Sequence, residues 1–126
     1  MSDPSSVFSD LPDDILAGIR DLGWKAPMPV QARVIPVMRT GKDLIVQART
    51  GSGKTGAFGI PMVAEVDPAL AATQAMVLAP TRELANQVAG ELIAMGKHRG
   101  VRCLPIYGGV GYTAQLEGLK AGAHIV

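Results

Sequence analysis

Asp43-Leu44-Ile45-Val46-Gln47-Ala48-Arg49-Thr50-Gly51-Ser52-Gly53-Lys54-Thr55 is the stretch on which the rest of the chain is organised. A short apolar run enters a glycine-rich turn, and the residues after it carry apolar side chains at helical spacing. Strand, glycine-rich turn and helix, in that order, are the context in which Gly-Lys-Thr means a phosphate-binding loop. Gly51 and Gly53 can take backbone angles closed to other residues and let a ligand come close. The N–H groups at the start of the following helix then converge on one anion, with the positive end of the helix dipole behind them. Lys54 is expected on the β- and γ-phosphates, and the Thr55 hydroxyl on Mg²⁺. The usual pattern opens with Gly, where this sequence has Ala48. The competing reading is a left-handed glycine turn with a surface lysine. The loop points to a nucleoside triphosphate and names no reaction.

The 126 residues are enough for one domain at most. A hydrophobic fraction of 48% and a charged fraction of 18% fit a globular chain with a core. The net charge of +1 gives no global basic field. Residues 1–38 carry net −2 and residues 39–126 net +3, an asymmetry that chance explains as well as a binding surface does. Cys103 is the only cysteine, so an internal disulfide is excluded, and a buried reduced thiol is expected. No Cys/His cluster suggests zinc. The acidic, polar N-terminus resembles neither a secretory signal nor a transit peptide, and no apolar run nears the ~18 residues of a membrane span. A cytoplasmic protein without membrane contact is expected.

Residues 1–7, rich in Ser, Asp and Pro, read as a flexible N-terminus. A helix follows with Pro12, Asp13 and Asp14 at its start, an apolar stripe of Leu11, Ile15, Leu16, Ile19 and Leu22, and Gly23 as the stop. A second helix starts at Pro29. Lys54 to about Glu65 should be helical behind the loop, although Gly56, Gly59 and Pro61 argue against it locally. Ala75–Ala79 is a short apolar run suited to a buried parallel strand. A helix from Arg82 to Met95 stops at Gly96, a strand spans Arg102 to Tyr107, Gly108-Gly109 breaks the chain, and a helix runs from Tyr112 to Ala121. His124-Ile125-Val126 begins a further strand. Strands alternating with helices predict an α/β fold with a parallel sheet and flanking helices. Ligand groups gather at the C-terminal ends of such strands, where the phosphate loop, Pro80-Thr81-Arg82 and Gly108-Gly109 all fall.

Four segments, taken together, resemble the DEAD-box RNA helicases, in the N-terminal half of their first RecA-like domain. Gly23-Trp24-Lys25-Ala26-Pro27-Met28-Pro29-Val30-Gln31 is similar to the family's Q motif. Ala48 to Thr55 is similar to its phosphate loop, whose first residue is also Ala. Pro80-Thr81-Arg82-Glu83-Leu84-Ala85 resembles motif Ia, and Gly108-Gly109 resembles the glycine doublet. The resemblance implies a RecA-like P-loop NTPase fold, partial over residues 8–126, with ATP and Mg²⁺ as ligands and RNA as a partner bound through its backbone. It assigns adenine recognition to Gln31, whose amide can pair with N6 and N7. It assigns stacking on the base to Phe8, for which core packing is the competing reading. Lys25, Arg49, Thr50, Gly51, Ser52, Gly53, Lys54, Thr55 and Gly56 complete the implied nucleotide set, with Lys54 and Thr55 the implied catalytic pair. Met28 stands where the family has Thr or Ser, so a hydroxyl contact is absent there. Pro80, Thr81, Arg82, Gly108 and Gly109 are the implied RNA-backbone contacts, and Thr81 also reads as an N-cap. Trp24, Lys97, Arg99 and Arg102 are taken as structural or solvated.

The 126 residues contain no Asp-Glu-Ala-Asp, Ser-Ala-Thr or Thr-Pro-Gly-Arg sequence. The resemblance therefore implies a fragment of an ATP-dependent RNA helicase that is inactive alone, without the second RecA-like domain and its arginine finger. A free-standing nucleotide- or RNA-binding module without catalysis is the other reading. Either way, a sheet edge near His124–Val126 is expected to lack cover.

Overall fold

The computed structural model describes residues 6–126, and residues 1–5 of the expected flexible segment lie outside the described residues. Ser6 and Val7 depart from that expectation. They belong to a one-turn helix, α1 (Ser6–Ser9), in which Val7 is buried.

Helix α2 (Asp13–Asp21) has Asp13 and Asp14 at its positive end and buries Ile15 and Ile19. It closes as a Schellman turn. Gly23 sits at φ +77°, its N–H bonds the Arg20 carbonyl at 2.9 Å, and the Trp24 N–H reaches back to Ile19 at 3.2 Å. That closure sets where Trp24 leaves the helix. Gly18 on the same helix has no room for a side chain, because a Cβ there would lie 2.3 Å from the Met95 carbonyl oxygen.

Helix α3 (Pro29–Met38) begins at a proline, whose missing N–H costs nothing in a first turn. Helix α4 (Lys54–Glu65) forms unbroken despite Gly56, Gly59 and Pro61. Tertiary packing overrides their low helix propensity, since Ala57, Ile60 and Val63 are all buried and anchor the helix in the core. Helix α5 (Arg82–Met95) is capped by Thr81, a 3-10 turn spans Lys97–Arg99, and α6 (Tyr112–Lys120) follows the glycine doublet.

Three extended segments pair in parallel, with Ile125 bridged to Ala75 on one side and Cys103 on the other. Gln74 N–H bonds His124 O at 2.8 Å, Val77 N–H bonds Val126 O at 2.9 Å, and Leu104 N–H bonds Ile125 O at 2.9 Å. The spatial order is therefore 75, 125, 103. Among the described residues the pairing amounts to these single bridges, without the longer strands expected over 75–79 and 102–107.

The expected strand at Asp43–Gln47 is a second correction. No backbone hydrogen bond involves it among the described residues, and Ile45 is fully exposed, with Leu44 and Val46 at 40% and 42%. An apolar run folds into a buried strand only where another backbone lies beside it.

The core runs through α2, α3, α4, α5 and the centre of the pairing: Ile15, Ile35, Ile60, Leu92, Met95 and Ile125 are each at most 1% exposed. Cys103 is half-buried, and burial pushes its thiol up to about 11, which keeps it protonated and unreactive at neutral pH.

Arg99, expected to be solvated or structural, locks two helix ends together. Its Nε and Nη2 donate to the Asp14 carboxylate at 2.8 and 2.9 Å, at the start of α2. Its Nη1 donates to the Val63, Ala64 and Val66 carbonyls at the end of α4. The Asp14 carboxyl is held below the usual aspartate range, first by the hydrogen bond from Arg99. Arg99→Met should lower stability by about 2 kcal/mol, discounted for partial exposure. Because the folded-state pKa of Asp14 is depressed, its contribution is present above the ordinary aspartate pKa and lost as pH falls through the depressed value. Urea melts of Arg99→Met and wild type should therefore differ most at pH 7 and by less toward pH 2, where only the bonds to the α4 carbonyls remain.

Candidate nucleotide and nucleic-acid site

The phosphate loop lines a cleft of about 590 Å³, together with Trp24, Met28, Gln31 and the extended segment at Val77–Ala79. Gly51 and Gly53 take φ +80° and +89°, the left-handed values that the glycines of such a loop supply. The Arg49 carbonyl closes the turn, accepting from the Ser52 N–H at 3.2 Å and from the Ser52 hydroxyl. Gly53 then caps α4. The N–H groups of Gly53, Lys54, Thr55 and Gly56 have no hydrogen-bond partner among the described residues. Four unpaired donors at the positive end of a buried helix suit a polyphosphate. Neither the Lys54 ammonium nor the Thr55 hydroxyl is engaged with a protein group among the described residues.

Gln31 is a buried joint between α3 and the loop, not a solvated helix residue. It is 2% exposed. Its Oε1 accepts the Met28 N–H at 2.9 Å, half of a capping box, and its Nε2 donates to the Gly53 carbonyl at 3.2 Å. The same carbonyl accepts the Ala57 N–H at 3.1 Å. Both amide atoms expected to read a base are thus engaged with backbone.

Phe8 is placed elsewhere. It is 6% exposed in the core and borders a separate groove with Lys25, away from the cleft at the loop, so its ring is not presented to that cleft. The aromatic side chains that do line the cleft are Trp24 and Phe58, and Trp24 Cζ3 would stand 3.0 Å from a Cβ at Gly56. The sequence alone reads Trp24 as structural or solvated. The available signal was its place directly after the helix-ending Gly23.

The other two turns meet as one surface. Thr81 Oγ1 accepts the Leu84 N–H at 3.1 Å, so it is an N-cap, and Pro80 precedes it, exposed. Arg82 reaches across to the glycine doublet, donating from Nη2 to the Gly108 carbonyl at 3.2 Å. Its Cζ lies 4.9 Å from the centre of the Tyr107 ring, a cation–π distance. Gly109 sits at φ +81° and a Cβ there would meet Arg82 Nη2 at 2.9 Å. Tyr107, absent from the expected set, is itself pinned, its N–H bonding Gln115 Oε1 on α6 at 2.8 Å.

No group of three or more His, Cys, Asp or Glu able to hold a metal ion occurs among the described residues, and no described helix is long and apolar enough to cross a membrane.

Comparison with known proteins bears on the family and the fold. The family model described as DEAD/DEAH box helicase matches residues 28–126. The chain is 47% identical over 116 residues, 92% of its length, to the DEAD-box ATP-dependent RNA helicase CshA of Bacillus cereus, of which it covers 22%. It is 46% identical across its whole length to the ATP-dependent RNA helicase DeaD of Escherichia coli, of which it covers 20%. The chain thus spans about a fifth of the length of these curated relatives. Among solved structures, a DEAD box protein of Methanococcus jannaschii superposes with a TM-score of 0.85 at 42% identity, over 93% of this chain and 32% of that one. Saccharomyces cerevisiae Dbp5 bound to RNA and ADP BeF3 does so with a TM-score of 0.79 at 27% identity, over 98% and 31%. The fold is the RecA-like α/β fold of these helicase domains.

The close contacts at the glycines yield a paired prediction. A Cβ at Gly56 would lie 2.5 Å from Gln31 Nε2, whereas one at Gly90, an exposed position on α5, would meet nothing within 4 Å. Gly56→Ala should cost about 1–3 kcal/mol through overpacking, and Gly90→Ala should gain about 0.5–1 kcal/mol through helix propensity. Thermal melts of the two variants beside wild type should shift in opposite directions.

Proposed function

We propose, for a chain that belongs to the DEAD/DEAH box helicase family, that it forms the ATP-binding N-terminal portion of an ATP-dependent RNA helicase. The observation that carries the reading is the set of four unpaired N–H groups on Gly53–Gly56, ahead of a buried helix and beside a free Lys54. In this reading those donors and Lys54 hold the β- and γ-phosphates. Mg²⁺, bound together with the nucleotide, would neutralise phosphate charge, and Thr55 is the residue placed to ligate it. Gln31 reads the adenine with the second N–H of Nε2 and the second lone pair of Oε1, while its bonds to Met28 N and Gly53 O hold the amide in place. The surface of Pro80, Thr81, Arg82, Gly108 and Gly109 takes the RNA backbone, which positions a strand without reading its sequence. Location in the cytoplasm belongs to the same proposal. So do unwinding of RNA duplexes by a full-length protein and action with a second RecA-like domain.

The 126-residue polypeptide itself is read as binding without turnover, because it contains none of the carboxylates or the arginine finger that the resemblance assigns to hydrolysis.

Two measurements test this. Calorimetry should show ADP bound more tightly than GDP, Lys54→Ala should abolish binding, and Gln31→Ala should narrow the ADP–GDP difference by about 1–3 kcal/mol. Equal affinity for ADP and GDP in the wild type overturns base reading, and binding that survives Lys54→Ala overturns the loop assignment. Phosphate release from ATP by the purified 126-residue polypeptide, with RNA present, should be undetectable. Turnover of about 1 s⁻¹ would overturn the reading that this polypeptide binds without hydrolysis.

A further inference from the structure

We infer that Tyr107 is a positioning residue for nucleic-acid binding, acting through Arg82: its ring face holds the Arg82 guanidinium across the gap between the α5 N-terminus and the glycine doublet, so that two separate turns present one phosphodiester site. This rests on the reading of that surface as RNA-binding.

Four observations converge on it. The Arg82 guanidinium lies 4.9 Å from the Tyr107 ring centre. One of its nitrogens donates to the Gly108 carbonyl at 3.2 Å. Gly109 is bare at the point where a Cβ would crowd Arg82 Nη2 at 2.9 Å. The Tyr107 backbone N–H is tied to Gln115 Oε1 on α6 at 2.8 Å, which fixes the point from which the ring projects. Arg82 meets no carboxylate among the described residues, so its charge is not neutralised by the protein. A guanidinium has five N–H donors in a rigid fork. With one on Gly108, the rest remain for a phosphate oxygen, and the aromatic face lowers the freedom of a long side chain that would otherwise have to be ordered on binding.

The arrangement predicts coupling, which mere structural support would not produce. Binding of a fluorescent single-stranded oligouridylate to the 126-residue chain is followed by anisotropy over a salt series, with ADP binding as the control for folding. Arg82→Gln should weaken binding about tenfold and reduce the salt slope by about 0.7, the loss of one single-strand phosphate contact. Tyr107→Leu should weaken it about two- to fivefold, the span of an exposed cation–π contact. Tyr107→Phe should match wild type. The double variant Arg82→Gln/Tyr107→Leu should bind no more weakly than Arg82→Gln alone, because Tyr107 acts only through Arg82. Pentafluorophenylalanine at position 107 keeps the ring's shape and reverses its electrostatics, so it should behave as Leu does even if the Leu variant does not fold. Full additivity in the double variant, or wild-type affinity with the fluorinated ring, overturns the role of Tyr107 and leaves the RNA reading standing. An Arg82→Gln variant that binds like wild type overturns the RNA reading of this surface, and the inference with it.

Discussion

Helix α4 lies against its neighbours at two positions that have no side chain. At Gly56 the space a Cβ would fill belongs to the Gln31 amide and the Trp24 indole, and at Gly59 it belongs to Leu92 and Met95. α3 and the segment before it therefore close onto the first turn of α4, while α5 closes onto the middle of it. Everything at the cleft follows from this contact. The four open N–H groups belong to a helix end held on both sides, and a helix end with unpaired donors is tolerated where water or an anion can reach it. A larger residue at either glycine would push α4 outward and take the phosphate loop with it.

Gln31 shows how the same contact joins recognition to the loop. Its amide caps α3 through Met28 and holds the Gly53 carbonyl, the atom that also receives the first hydrogen bond of α4. One N–H of Nε2 and one lone pair of Oε1 remain beyond these two bonds, so in the proposed reading a base pairs with an amide that still holds the loop backbone. In this reading one side chain touches both the base and the Gly53 carbonyl, so the base site and the phosphate loop share a residue. At the other end of α4, Arg99 ties the last carbonyls to Asp14. The helix is fixed at both termini by polar contacts from remote parts of the chain, and between them by apolar packing.

The second surface is built by a different kind of contact. Thr81 caps α5 locally, but Arg82 and Tyr107 are twenty-five positions apart and meet only because parallel pairing of the segments at 75, 125 and 103 sets both turns on one edge. Its exposed guanidinium contrasts with the cleft, where backbone amides supply the positive potential.

Much was determined by the sequence alone. Gly51 and Gly53 announce their left-handed angles through their position in the loop, and Thr81, Asp13, Asp14 and Gly23 mark helix ends through short-range hydrogen bonds and the helix dipole, interactions that need no distant partner. The family and the α/β order were legible for the same reason, since each motif is a local pattern. What the tertiary structure decided is which of those patterns find a partner. Asp43–Gln47 has the composition of a strand and stays exposed, because a strand is stable only beside another backbone. α4 is helical through Gly56, Gly59 and Pro61, because close packing outweighs propensity. Phe8 goes to the core and Trp24 to the cleft, and Arg82 finds Tyr107, because side-chain neighbours depend on the crossing of elements far apart in the chain, a geometry that no local pattern encodes.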